Sequence, residues 1–462
     1  MHVLAILQTR IPTGNNVVYC YLERVYMNYK RVFAGAAVLA VVACSSGGDS
    51  GTTPTNKAPE IAFTFTPLAT PHDIPVDLTI TASDPDNDPL TITWTITRGS
   101  LVAQNSRKTV MRWTPPGALG VDTVNVRVTD GTVTRKLTEV IKVGYSLPTG
   151  SVAPPVFQKS KSPYIVTLNG ADPRLTVLEG AQTTIEPGTE IYLNTAGSFL
   201  EVLGKLEAQG TAGEPIIFRQ NNRTFSCGDA NSTRWAGIIA FGDSALVDLE
   251  YVELWFPQDG VRLRDNSSAL LKDCKVRCSG NAGALIEGNG SLRAIDSSFT
   301  DGLGDGIAIA AITSLPDSVR IQGCTLSFNH SSGIRMDLAD VTKVVPIYVE
   351  YNDIEINDAH GISLAHSVFP RIHFNKFLGN GDSSISSLFL QGGYPDPVNL
   401  PELDVTCNFW GGSHASQSAV DNEIHDSLDV STVHTRVKSC PWLNTDPTDP
   451  LTTTPNCSMS CP

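Results

Sequence analysis

Six glycines, Gly237, Gly260, Gly283, Gly306, Gly333 and Gly361, recur through the middle of the chain at intervals of 23, 23, 23, 27 and 28 residues. Each opens a short alternating run: GIIAF, GVRLR, GALIE, GIAIA, GIRMD and GISLA in order. A second apolar run follows about ten to fifteen residues later in each repeat. A period of this length, built only from short strands and turns, predicts a solenoid, because one unit cannot bury its apolar face without a neighbour.

A second column has the same period. Cys274, Ser297, Cys324, Asn352 and Asn375 each stand two places before an apolar residue, and from the first four the next glycine is nine residues away every time. Ser384, nine after Asn375, opens a further repeat without a glycine, and that repeat reaches the column again at Asn408. Small polar side chains placed once per coil would stack at about 4.8 Å and hydrogen-bond along an internal ladder. The pattern predicts a single-stranded parallel β-helix.

Three stretches carry a family resemblance: LTVLEGAQTTIEPGTEIYLNTAGSFLEVLGKLEAQGTAGEPIIFRQ (residues 175–220), RWAGI (234–238), and CNFWGG (407–412) followed by IHD and CPWL. They resemble the opening and closing coils of right-handed parallel β-helix proteins of the pectin-lyase-like superfamily, over roughly residues 160–443. The resemblance implies the fold and its handedness. It does not choose a function, since that superfamily includes lyases, hydrolases, esterases, epimerases and adhesins.

The amino-terminal region reads as an address. From Met27 the sequence runs MNYKRVFAGAAVLAVVACSSGGDS, with Lys30 and Arg31 before an apolar run from Val32 to Val42. Eleven apolar residues fall short of the roughly 20 needed to span a bilayer. The segment resembles a bacterial lipoprotein signal whose lipobox, VVAC, makes Cys44 the lipid attachment site. Ser45 stands where an aspartate would signal inner-membrane retention, so the expectation is outer-membrane or surface display. Residues 1–26 read as an upstream extension from a mis-called start, 27–43 as the signal and 44–57 as a tether. Removing residues 1–43 leaves 29 Lys and Arg against 46 Asp and Glu, a net charge near −17. Such a surface repels nucleic acid and anionic lipid. It also opposes a polyanionic polysaccharide unless calcium or a local basic strip intervenes.

Residues 58–144 alternate with period two in VDLTITA, PLTITWTI, TVNVRVTDG and KLTEVIKV, between Pro, Gly and Asp turns, which predicts a β-sandwich. ASDPDNDPLTITWTI and RVTDG resemble Ig-like modules of the PKD and cadherin type, with Trp94 and Trp113 as core candidates. Asp84, Asp86 and Asp88 alternate as calcium ligands would, or as a solvated acidic turn would. No cofactor is required by the sequence; calcium is the one candidate. Residues 145–160 read as a linker, 161–443 as the β-helix and 444–462 as an extended tail.

Among the cysteines, Cys274 and Cys324 belong to the ladder and are expected to be unbonded packing residues. Cys407 with Cys440, and Cys457 with Cys461, are disulfide candidates at the end of the solenoid, and Cys227 with Cys278 is a further possibility.

Alternation places one residue in two of each glycine-led strand outward, giving a strip through Ile239, Phe241, Arg262, Arg264, Leu285, Glu287, Ala308, Ala310, Arg335, Asp337, Ser363 and Ala365. Sugar lyases on this fold need a base and a cation, and hydrolases need two carboxylates on neighbouring coils. Arg335, Asp337 and the Asp358–His360 pair are the available catalytic candidates, and two alanines interrupt the strip. The glycine-to-ladder distance is 14 residues in three repeats but 18, 19 and 24 in others, so insertions gather on one side of the solenoid. They carry Asp317, Asp340, Lys343, Tyr394 and Asp396, a candidate ligand-binding set. The expected function is a lipid-anchored, non-catalytic glycan-binding surface protein. A polysaccharide lyase or glycoside hydrolase, and a purely structural rod, are the alternatives.

Overall fold

The computed structural model describes residues 12–13, 16–17, 55–223, 225–230, 233–311, 318–338, 346–365, 370–381, 388–390, 403–411, 420–425 and 437–443. The chain divides into two compact units, residues 1–56 and residues 57–462. In the smaller unit Pro12–Thr13 pairs with Asn16–Val17.

The strands from residue 60 onward build a sandwich of two sheets. Glu60–Phe65, Val76–Ser83, Val110–Thr114 and Ser100–Ala103 form one; Thr91–Ile96, Gly120–Thr129 and Thr134–Pro148 form the other, with Ala69–Pro71 along the last. The alternating residues Leu78, Val124, Ile141 and Val143 close on the fully buried Trp113. Trp94 packs partly buried against the same interior and donates its indole N–H to the Lys108 carbonyl at 2.8 Å. No disulfide is needed when two indoles fill the centre.

The expected linker is not one. Thr134–Pro148 pairs antiparallel with Gly120–Thr129 in the sandwich, and its last residues, Tyr145–Pro148, pair in parallel with Tyr164–Thr167 of the solenoid. Ser151–Val152 and Val156–Phe157, also inside the expected linker, pair with Arg174–Val177 and Gln182–Ile185. Residues 145–160 are thus the first coil, and one strand belongs to both domains. The proline and serine content that suggested a linker fits the tight corners of that coil. Gly144 sits at the crossover, where any Cβ would collide with the Pro163 carbonyl oxygen and the Ile165 side chain. Around it Asn221 exchanges two hydrogen bonds with the Ala69 backbone at 2.9 and 2.6 Å. Lys142 pairs with Glu190, and Arg223 with Glu139 at 3.0 Å.

From there the chain winds through three parallel sheets. The glycine-led sheet includes Gly237–Phe241, Asp259–Arg264, Ala282–Ile286, Asp305–Ala311, Ile334–Leu338 and Ile362–Ala365. The second includes Ser268–Lys272, Ser291–Ile295, Val319–Gln322, Ile347–Glu350 and Arg371–His373. The third has shorter strands such as Lys275–Arg277, Ser298–Thr300 and Thr325–Ser327. Inward side chains from all three make one continuous core, with Phe218, Phe299, Phe377 and Trp410 among its largest members.

The two sequence columns have physical causes. A Cβ on Gly283 would lie 2.5 Å from the carbonyl oxygen of Gly306, and a Cβ on Gly306 or Gly333 would lie 2.5 or 2.8 Å from that of Gly333 or Gly361. Only glycine lets successive backbones stack this closely. In the second column Asn352 and Asn375 each donate to the side-chain oxygen of the next Asn at 2.9 and 3.1 Å, while Ser297 accepts from the Cys274 backbone at 3.0 Å. Cys274 and Cys324 are buried free thiols. A second ladder runs five residues further on, through Asn329, Asn357 and Asn380, with steps of 2.9 and 2.8 Å. The residue before each ladder member holds a left-handed conformation, for example Asp273 and Phe328. At these corners the side-chain oxygen of Ser297, Asn352 or Asn375 accepts from the buried backbone N–H of the ladder residue one coil before it.

Candidate functional site

Two of the insertions fall between strands of the glycine-led and second sheets, 312–317 between Asp305–Ala311 and Val319–Gln322 and 339–345 between Ile334–Leu338 and Ile347–Glu350; the third, 391–402, lies between Leu388–Leu390 and Leu403–Asp404, which pairs with Val437–Lys438. The candidate ligand residues Asp317, Asp340, Lys343, Tyr394 and Asp396 fall outside the described residues, as do Cys44, Cys457 and Cys461. Cys407 and Cys440 are both disulfide-bonded. Cys227 bonds to Cys278 across 51 residues and ties the loop after Asn221 to the third sheet.

On the glycine-led face the register is the expected one, with Arg262, Leu285, Ala308, Arg335 and Ser363 in line. Its middle, however, is not an open strip. Leu285 and Ala308 are buried with Ala282 in a small apolar cluster of their own, and Ser363 and Ala365 are buried too. The charges on either side are matched. Glu287 receives two hydrogen bonds from Arg262, both at 2.8 Å, and one from Arg264 at 3.0 Å. The Arg262 guanidinium holds the Glu287 carboxyl below the usual carboxylate range. Asp259 is pushed up by burial and accepts a hydrogen bond from Asn281 at 2.7 Å.

Two residues of the alternative catalytic set have partners on the preceding coil. Arg335 binds Asp305 of the preceding coil at 2.7 Å, a buried carboxylate that also accepts from the Ser332 backbone. Asp358, weighed above with His360 as part of the alternative catalytic set, pairs with His330 Nδ1 at 2.7 Å, one coil back. In the sandwich, Asp84 accepts from the backbone N–H groups of Asp86 and Asp88 at 2.8 and 3.1 Å, and Asp86 faces Lys57. That is the geometry of an Asx turn. Among the described residues no group of three or more His, Cys, Asp or Glu side chains is placed to hold a metal ion.

Two features of the outer surface were not read from the sequence. A groove of about 340 Å³ follows the corner between the second and third sheets, lined by Thr211, Tyr251, Glu253, Asp273, Lys275 and Asp296 among others. Lys275 pairs with Glu253 at 3.0 Å inside it. The second feature is a column on the second sheet. Arg293, Arg320, Tyr348 and Arg371 occupy one outward position in four consecutive coils, in direct register. The Arg320 guanidinium lies 4.7 Å over the Tyr348 ring. Glu350, only 14% exposed, sits beside them and meets Arg320 at 3.6 Å and Arg371 at 3.2 Å. A sequence signal did exist: each member of the column stands four residues before a ladder residue.

Residues 236–394 match the family of the right handed beta helix region, and residues 48–140 match the bacterial Ig domain family. The chain is therefore an all-β protein in which a bacterial Ig domain precedes a right-handed β-helix. No curated protein and no solved structure matches it.

Proposed function

We propose that this is a lipid-anchored protein of the bacterial surface, attached through Cys44, in which the Ig domain carries a β-helix that binds a glycan without turning it over. The observation that carries the reading is the state of the glycine-led face. Its acids and arginines are engaged with one another, Glu287 with Arg262 and Arg264 and Asp305 with Arg335, so the charges an acid–base mechanism would use are already held in ion pairs. Two of the insertions, 312–317 and 339–345, fall in the chain between strands of the glycine-led and second sheets, the kind of edge at which solenoids take ligands.

The test is incubation of the mature protein, without its lipid, with neutral and uronate polysaccharides, with and without calcium. Retention of one polysaccharide with no new chain ends over a day is the expected result. New ends that disappear in Arg335→Ala would replace this reading with a lyase or hydrolase, and retention of none would leave a structural rod. Cys44→Ser is expected to move the protein from the membrane fraction to the soluble one.

A further inference from the structure

The pairing of Arg320 and Arg371 with Glu350 accounts for part of the arginine column of the second sheet, but not for Arg293 or for the run of the column over four coils. Inward positions of these strands are fixed by the core, but the outward ones are free to vary, and the same column reads Asp248 and Leu270 in the two preceding coils. From Arg293 onward it becomes cationic and aromatic. The chain as a whole carries a net charge of −14, so three arginines and one tyrosine in four consecutive coils are a departure from the surrounding surface. Arg293 is exposed and makes no ion pair among the described residues. Arg371 is 57% exposed despite its contact with Glu350. Glu350 and the Tyr348 ring fix the Arg320 guanidinium, which lowers the entropy lost when it binds an anion.

The geometry points to this column as a binding strip for an anionic polysaccharide. Coils repeat at about 4.8 Å, so an extended chain laid across the strands meets a guanidinium or the phenol at each step. Guanidinium groups recognise carboxylate and sulfate alike by paired N–H donors. Each member of the strip stands within the first three residues of its strand, so the strip runs along the leading edge of the second sheet. This inference rests on the binding reading and names the ligand class and the residues.

The experiment measures retention of the full mature chain on immobilised alginate, dextran sulfate, neutral dextran and single-stranded DNA. The triple variant Arg293→Gln, Arg320→Gln, Arg371→Gln is compared with Arg112→Gln, an exposed arginine of the Ig domain. The expected result is retention on alginate or dextran sulfate, weakening with salt, and lost by about ten-fold or more in the triple variant but not in Arg112→Gln. The arm that binds distinguishes a carboxylate from a sulfate ligand. Should the triple variant fold poorly, Arg293→Gln alone is expected to weaken retention several-fold. Equal binding by strip variants, or binding to neutral dextran alone, overturns the strip and leaves the binding reading in place. Retention on DNA as strong as on the glycans overturns the choice of polysaccharide. Retention on none of the four overturns both readings.

Discussion

Cys274 occupies the same internal place that Ser297 fills in the next coil, and both use it in the same way. The Cys274 thiol reaches the Leu249 and Lys272 carbonyls at 3.4 and 3.3 Å, and the Ser297 hydroxyl reaches those of Leu271 and Ile295 at 3.3 and 2.9 Å. A small group with one weak donor is all the position asks for. Burial pushes both the Cys274 and Cys324 thiols up to about 12, so neither is a thiolate near neutral pH. Both are therefore expected to ignore a thiol-specific reagent at pH 8 in the folded protein and to react once the chain is unfolded. Prompt labelling of the native protein would contradict their burial. Cys274→Ser is expected to change stability by less than about 1 kcal/mol, measured by chemical denaturation.

The ladder coils make a stronger demand. Asn352 accepts from the Cys324 backbone at 2.8 Å and donates to the Ile321 carbonyl at 2.9 Å, deep inside the turn. Asn352→Ala leaves a buried donor and a buried acceptor unpaired and is expected to cost about 2 kcal/mol or more in denaturant melts, with Asn352→Ser milder because Ser297 already serves one coil. A cost near zero would mean that water or a shifted backbone replaces the amide. Both the glycine column and this ladder were legible in the sequence, because stacking forces one residue type to recur at one spacing. The second ladder was not, since Ser279 and Gly302 interrupt it before Asn329 appears. The arginine column escaped for the opposite reason: nothing inside the solenoid constrains an outward position, so Leu270, Arg293 and Tyr348 share a place without sharing a chemistry. The pairing of Asp358 with His330 also lay out of reach, because neighbours in sequence such as His360 are poorer guides on a coil than residues one repeat away.

For the whole molecule the decisive element is the strand Thr134–Pro148. The sequence offered a proline-rich linker between two domains, and composition alone cannot reveal that the last Ig strand continues as the first strand of the solenoid. Residues 145–160 are accordingly expected to resist limited proteolysis under native conditions, since their backbone is paired. Gly144→Val is expected to open that region to cleavage and lower the melting temperature, because the Cβ meets the Pro163 carbonyl; unchanged protection would show that the crossover can shift to accept it. A shared strand also transmits torque. Its hydrogen-bonded neighbours in both domains resist rotation about the strand axis, so turning the Ig sandwich turns the coils with it. The compass bearing of the arginine face is then set by the bearing of the sandwich.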